Sequence, residues 1–340
     1  MSGLRVCALI LLGAIGEAGA AEAPINPLVT AARQGVVGMR APALRLTTID
    51  GEQIDSADLY GKKAVYLKFW ATWCTPCRQQ MPHLENVYQH AGDDLAVIAL
   101  NAGFSETLQD IKAYRTKLGI HMPIVVDDGS LAGLFNLRIT PQHVVIGKDG
   151  IVKYVGNRAD AQLDAVLERE RKAPARLFKA KAFAAANAHL EPGDPLPDET
   201  LAIAGGGSLA LRGSVGTRGT VLVFMVPWCE SYLGAARPQS GKACREVREQ
   251  VESLKARYPG FRWLGISSGI WTSRNDLVSY AKDNNVTLPL SLDERARLFR
   301  RFGVMTVPTV VVADAKGIIV KRLEGHDLTL EPTLAALKGK

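Results

Sequence analysis

The chain repeats itself, and that constrains its fold more than any other feature. Gly38, Pro42, Gly51, Gly61, Trp73 and Cys74 recur as Gly193, Pro197, Gly206, Gly216, Trp228 and Cys229, each 155 positions later. Beyond the first cysteine the spacing becomes 167: Cys77 returns as Cys244, Arg78 as Arg245, Pro141 as Pro308 and Gly150 as Gly317. A few glycines would align by chance. A Trp-Cys, a Cys-Arg and a late proline kept in one order would not. The 340 residues therefore read as two copies of one fold, the second with 12 extra residues between its cysteines. With 47% hydrophobic and 22% charged residues, the chain has the composition of one that buries cores.

Within the first copy, residues 43–49 and Gln53 to Asp55 read as short strands, and residues 64–69 as a buried one. A helix follows over 79–90, a buried strand over 95–101, and an amphipathic helix over 107–118, with Leu108, Ile111, Tyr114 and Leu118 at helical spacing. A short strand at 124–126, a helical turn at 131–136, strands at 143–146 and 151–155 and a closing helix at 161–171 complete the unit. Alternating strands and helices predict an α/β architecture with a mixed sheet.

The strand at 64–69 runs directly into Trp73, Cys74, Thr75, Pro76 and Cys77. A cysteine at the end of a strand and the start of a helix faces unpaired backbone N–H groups and the positive end of the helix dipole, which favour a thiolate. A second cysteine one turn on can close a disulfide or resolve a mixed one. Zinc is the competing use of Cys-x-x-Cys. It needs further ligands, and no second compact pair follows; His83 and His90 read as surface helix residues and His143 as a strand residue. No metal and no cofactor are expected.

Residues 1–20 read as a cleavable signal peptide: Arg5, an apolar stretch over 6–15, then Ala18-Gly19-Ala20. Cys7 leaves with it, so the mature chain keeps Cys74, Cys77, Cys229 and Cys244. Export to the periplasm provides a compartment where disulfides persist. Arg5 and Glu17 leave together, so the net charge stays +7. No basic block interleaved with aromatics argues for nucleic acid. The expected organisation is signal 1–20, catalytic domain 21–172, an Ala/Lys-rich linker 173–192 with a Pro-rich stop, and a diverged second domain 193–340.

The run from Phe69 to Arg78, with Gly38, Ala41 and Pro42 before it and Thr140-Pro141 after it, resembles the thioredoxin fold, and within it the exported TlpA/ResA-type thiol–disulfide reductases. The resemblance covers residues 38–167 well and 193–337 more loosely. It implies two tandem thioredoxin-like domains, each a central mixed β-sheet flanked by helices. It makes Cys74 an exposed nucleophile, Cys77 the resolving thiol and Pro141 a cis-proline facing them. Thr140 would offer its backbone to an extended client, and Trp73 and Pro76 would shape the site. It further implies clients with disulfides or thiols, such as those of cytochrome c or copper-site maturation, and a membrane electron donor such as a DsbD-type reductase.

Two departures stand out. Lys68 occupies the place, six residues before the first cysteine, where thioredoxins bury an acid, and Gln80 the place where several exported reductases carry Glu. A buried charged Lys68 would depress the thiol pKa; a buried neutral one could act as a base. The simpler expectation is that its stem packs and its ammonium reaches water.

In the second copy, Trp228-Cys229 again stands at a strand end, and Val307-Pro308 repeats the late proline. Residues 230–243 contain Gly234, Pro238, Ser240 and Gly241 and read as a loop that could hold a short turn of helix. Cys229 and Cys244 could form a structural staple, an active dithiol exchanging electrons with Cys74/Cys77, or two free thiols. A peroxidatic cysteine is disfavoured, because Ala71 and Val226 stand where peroxiredoxins place Thr or Ser. The reading is a thiol–disulfide oxidoreductase. Its rivals are a peptide-gripping adaptor without turnover and a disulfide isomerase.

Overall fold

The computed structural model describes residues 26–176, 181, 189–212, 217–325 and 329–338. The expected signal peptide and most of the expected linker lie outside them.

The first copy begins with a helix that the periodicity did not announce, α1 (Pro27–Arg33), and continues through β1 (Arg45–Thr47), β2 (Gln53–Asp55) and α2 (Ser56–Leu59). Then come β3 (Ala64–Trp70), α3 (Thr75–Gln79), α4 (Met81–Gln89), β4 (Leu95–Asn101) and α5 (Leu108–Leu118). The copy closes with β5 (Ile124–Val126), α6 (Ser130–Leu134), β6 (Gln142–Ile146), β7 (Val152–Gly156) and α7 (Ala161–Lys172). The sheet order is β5-β4-β3-β6-β7. β3 is parallel to β4 and antiparallel to β6, the mixed sheet expected. All seven residues of β3 are buried, which is why its sequence shows no alternation.

The second copy repeats the plan. β8 (Thr200–Ala202) and β9 (Ser208–Ala210) precede β10 (Gly219–Met225). A π-helical turn (Cys229–Leu233), α8 (Gly234–Ala236) and α9 (Pro238–Arg257) follow. Next come β11 (Arg262–Ser268), α10 (Arg274–Asp283), β12 (Leu290–Asp293), α11 (Arg297–Arg301), β13 (Thr309–Asp314), β14 (Ile319–Glu324) and α12 (Glu331–Lys338). Its sheet order, β12-β11-β10-β13-β14, is that of the first. The architecture is α/β, two five-stranded mixed sheets with flanking helices. Strand register refines the repeat: Trp70 pairs with Asn101 and Met225 with Ser267, so the offset is 166 in β4, returning to 167 by Pro141 and Pro308.

Residues 230–243 are helical almost throughout, well beyond the short turn that the loop reading allowed. The signals that suggested a loop sit inside helices: Pro238 opens α9, where a missing N–H costs nothing. Gly241 is needed there, because a Cβ on it would lie 2.5 Å from the Gly234 Cα.

Candidate functional site

Cys74 ends the chain segment leaving β3 and is the N-cap of α3; its Sγ accepts from the Cys77 N–H at 3.2 Å. Pro76 sits in the first turn of α3, where its ring pre-sets the helix. Cys74 and Cys77 are disulfide-bonded, with Cα atoms 5.2 Å apart. The Thr140–Pro141 peptide is cis. β6 pairs Gln142 with Phe69, so Pro141 stands opposite Trp70, at the strand end from which Cys74 departs. In the second copy Cys229 and Cys244 are also disulfide-bonded, and Val307–Pro308 is also cis.

The two cysteine faces meet. The Trp73 and Trp228 rings pack against each other at a 40° tilt, with centroids 5.2 Å apart. Each indole N–H is tied to its own copy, Trp73 to the Phe104 carbonyl at 3.1 Å and Trp228 to the Ile270 carbonyl at 2.9 Å. Backbone bonds cross the boundary reciprocally. The Ser105 N–H donates to the Met305 carbonyl at 2.9 Å, and the Trp271 N–H to the Arg138 carbonyl at 2.8 Å. Each acceptor lies three residues before its copy's cis-proline, and Ser105 and Trp271 share a left-handed backbone, φ 58° and 54°. The contact is thus self-complementary about an approximate two-fold axis, as in a symmetric dimer.

The insertion breaks that symmetry. The Thr75 N–H donates to the Tyr232 hydroxyl at 3.0 Å. Arg237 reaches Asp110 at 3.2 Å, Thr72 at 3.2 Å and Glu106 at 3.5 Å. Glu106 is buried and also accepts from the Thr72 N–H, the Thr72 hydroxyl and the Asn101 amide. Burial pushes its carboxyl up, against these hydrogen bonds and the Arg237 charge.

This arrangement corrects one expectation. Cys74 is not exposed: its accessibility is 0% and that of Trp73 is 3%, with Trp228, Tyr232 and Trp271 of the second copy packed on Trp73 and the Tyr232 hydroxyl on the Thr75 N–H. Cys77, Thr140 and Pro141 are buried as well, and Pro76 is half-buried. Trp228, Cys229, Cys244, Val307 and Pro308 are buried on the opposing side, where Val307 meets the Ser105 hydroxyl.

Behind the cysteines lies a buried polar cluster. Gln80, in the break between α3 and α4, donates through Nε2 to the Asn157 carbonyl at 3.1 Å. Its Oε1 therefore accepts from His143 Nε2 at 2.8 Å, and His143 Nδ1 accepts from the Tyr66 hydroxyl at 2.7 Å. Burial, then the neighbouring Lys68 and His83, hold His143 well below the ordinary imidazole range. Burial drives Tyr66 well above its ordinary value. Lys68 pairs with His143 in the strand register, is 0% exposed, and its Nζ has no hydrogen-bond partner among the described residues. Its ammonium does not reach water, contrary to the simpler expectation, and burial pushes its pKa down to about 7. Sequence reasoning flagged Lys68 and Gln80 but missed Tyr66, Tyr232, Glu106 and Arg237. Residues 66 and 68 share one face of β3, and that period was the available signal for Tyr66. Contacts across the copies leave none.

The AhpC/TSA family model matches residues 37–155. The thioredoxin-like protein YneN of Bacillus subtilis (strain 168) is 32% identical over 134 residues, 38% of this chain and 78% of that protein. The thiol-disulfide oxidoreductase ResA of Bacillus thuringiensis (strain Al Hakam) is 32% identical over 137 residues, 39% of this chain and 78% of that protein. A solved thiol:disulfide interchange protein of the thioredoxin family from Chlorobium tepidum TLS is 30% identical, with a TM-score of 0.35, covering 39% of this chain and 97% of its own.

Proposed function

Since this chain belongs to the thioredoxin-like AhpC/TSA family, as a thiol–disulfide oxidoreductase similar to ResA, we propose that it is exported to the periplasm and reduces disulfides of client proteins there through Cys74 and Cys77. The observation that carries the reading is a bonded cysteine pair at a strand-to-helix junction with a cis-proline at the same strand end. The Cys74 thiolate attacks a client disulfide and forms a mixed disulfide; Cys77 then attacks Cys74 and releases the reduced client. Thr140 and Pro141 receive the client backbone beside the sulfurs, Trp73 and Pro76 bound the site, and a membrane reductase of the DsbD type returns the electrons. Clients of cytochrome c or copper-site maturation fit this chemistry. The signal segment and the four remaining cysteines support export. Because Cys74 is covered, a protein client requires the two copies to part.

Insulin reduction by dithiothreitol tests the reading. The protein accelerates precipitation, and Cys74→Ser abolishes the acceleration. No acceleration by the wild type would point to a peptide-binding adaptor instead. Equilibration with a dithiol buffer sets the direction: a Cys74/Cys77 potential near or below about −250 mV fits a reductase, and one near about −120 mV an oxidant or isomerase.

A further inference from the structure

The repeat contains its own control for the buried cluster. Offsets of 155 and 167 place Tyr66, Lys68, Gln80 and His143 at the positions of Val221, Val223, Val247 and Val310. The strand register agrees: Lys68 pairs with His143, and Val223 with Val310. All four valines belong to one hydrophobic cluster of the second copy. The same sheet is therefore built without any of the four polar groups, so folding does not demand them. A buried amine without a partner is costly, and one kept in only the Cys-x-x-Cys copy needs a reason in that copy's chemistry.

Geometry supplies the reason. In the second copy a small apolar cavity of about 30 Å³ is bounded jointly by Val223, Val247 and Cys244. The corresponding positions in the first copy are Lys68, Gln80 and Cys77. By that equivalence Lys68, Gln80 and Cys77 border one space in the first copy, and the fully buried Lys68 side chain stands where the second copy has only a valine.

Resting on the oxidoreductase reading above, we propose that Lys68 is the proton acceptor for Cys77, with the Tyr66–His143–Gln80 chain holding the pocket around its amine. The Cys77 thiol gives its proton to the Lys68 amine. The Cys77 thiolate attacks the Cys74 sulfur of the mixed disulfide, the Cys74–Cys77 bond forms, and the Cys74–client bond breaks. The client sulfur leaves with the electron pair and takes a proton from water. Two electrons have passed from the cysteine pair to the client, and the Lys68 ammonium returns its proton to solvent once the site opens. His143 cannot substitute, because Nδ1 already accepts from Tyr66 and Nε2 carries the proton donated to Gln80. The other titratable groups around the cluster are Tyr154 on β7 and the His83–Asp164 pair, 2.8 Å apart, joining α4 to α7.

Full-length protein reduced to two thiols, assigned to Cys74 and Cys77 by alkylation and mass spectrometry, is mixed with equimolar Ellman's reagent in stopped flow. The first phase of thionitrobenzoate release reports attack by Cys74 and the second attack by Cys77. The wild-type second phase slows below about pH 7. In Lys68→Met the first phase is unchanged, while the second is at least about tenfold slower at pH 7.5 and rises with pH along the thiol's own ionisation. Lys68→Val, the residue of the second copy, serves in the same way should Lys68→Met fail to melt cooperatively. A second phase of unchanged rate and pH profile overturns the proposal, and so does loss of both phases in a folded variant. Absence of the first phase in the wild type overturns the oxidoreductase reading itself.

Discussion

Lys68 also has a thermodynamic signature separate from its kinetics. Its pKa is about 7 in the folded protein and about 10.4 in an unfolded chain. Between those values the unfolded chain binds a proton that the folded one does not, so stability rises with pH across this window. Below about pH 7 the penalty is present in full, on the order of 4 kcal/mol before relaxation reduces it. Lys68→Met removes the amine at nearly constant length. The variant is expected to be more stable than wild type at pH 7 by a few kcal/mol, and the gap should shrink steadily toward pH 9. Urea melts of both proteins at pH 7, 8 and 9 measure that gap, and shared titrations cancel in the difference. A gap independent of pH would mean that Lys68 is not a buried neutral amine. The sequence made Lys68 conspicuous but not its company, since His143 reaches it only through the β3–β6 pairing, 75 residues away in the chain.

Among the elements, the legible ones owe their signal to local sequence. β4 and β5 fall where their apolar runs placed them, and α5 begins after Thr107, whose capping box with Asp110 is written within four residues. The insertion was misread because glycine and proline mark loops only when nothing else requires them. Here the Cys229–Cys244 disulfide ties the π-helical turn to α9, and Gly234 and Gly241 let the two segments touch backbone to backbone. Gly241→Ala would push a methyl against the Gly234 Cα. It should cost about 1–3 kcal/mol, the range of overpacked sites, and raise hydrogen exchange at the Tyr232 and Leu233 amides, which donate to the Trp228 carbonyl. Unchanged exchange there would show that the close approach of the glycines does not set the shape of the insertion.

At the scale of the whole molecule, duplication and insertion have made one chain resemble a symmetric dimer whose two cysteine faces are pressed together. A tethered partner acts at high effective concentration, so even a modest interface stays closed most of the time. The reciprocal backbone bonds at Ser105 and Trp271 explain the alignment, but charge holds the insertion in place. Arg237, from the second copy, faces Glu106 and Asp110 of the first, and the Glu106 side chain is only 1% exposed. Removing the cation would leave that carboxylate without its partner, and reversing its sign would set three acids against one another. Arg237→Glu should therefore hold the copies apart without touching the cysteines or the cluster behind them. Alkylation of Cys74 in the reduced protein should quicken by about tenfold or more, the equivalent of roughly 1.4 kcal/mol of lost closure. X-ray scattering should report a larger radius of gyration, and the emission of Trp73, Trp228 and Trp271, which pack against one another, should shift to the red. The cost of opening would then be what a client's own binding must supply before the dithiol can reach it. Were the variant to keep both the wild-type alkylation rate and the wild-type scattering, the Arg237 contacts would not be what covers Cys74. Control of access would then lie in the aromatic packing, the Thr75–Tyr232 bond and the reciprocal backbone bonds at Ser105 and Trp271.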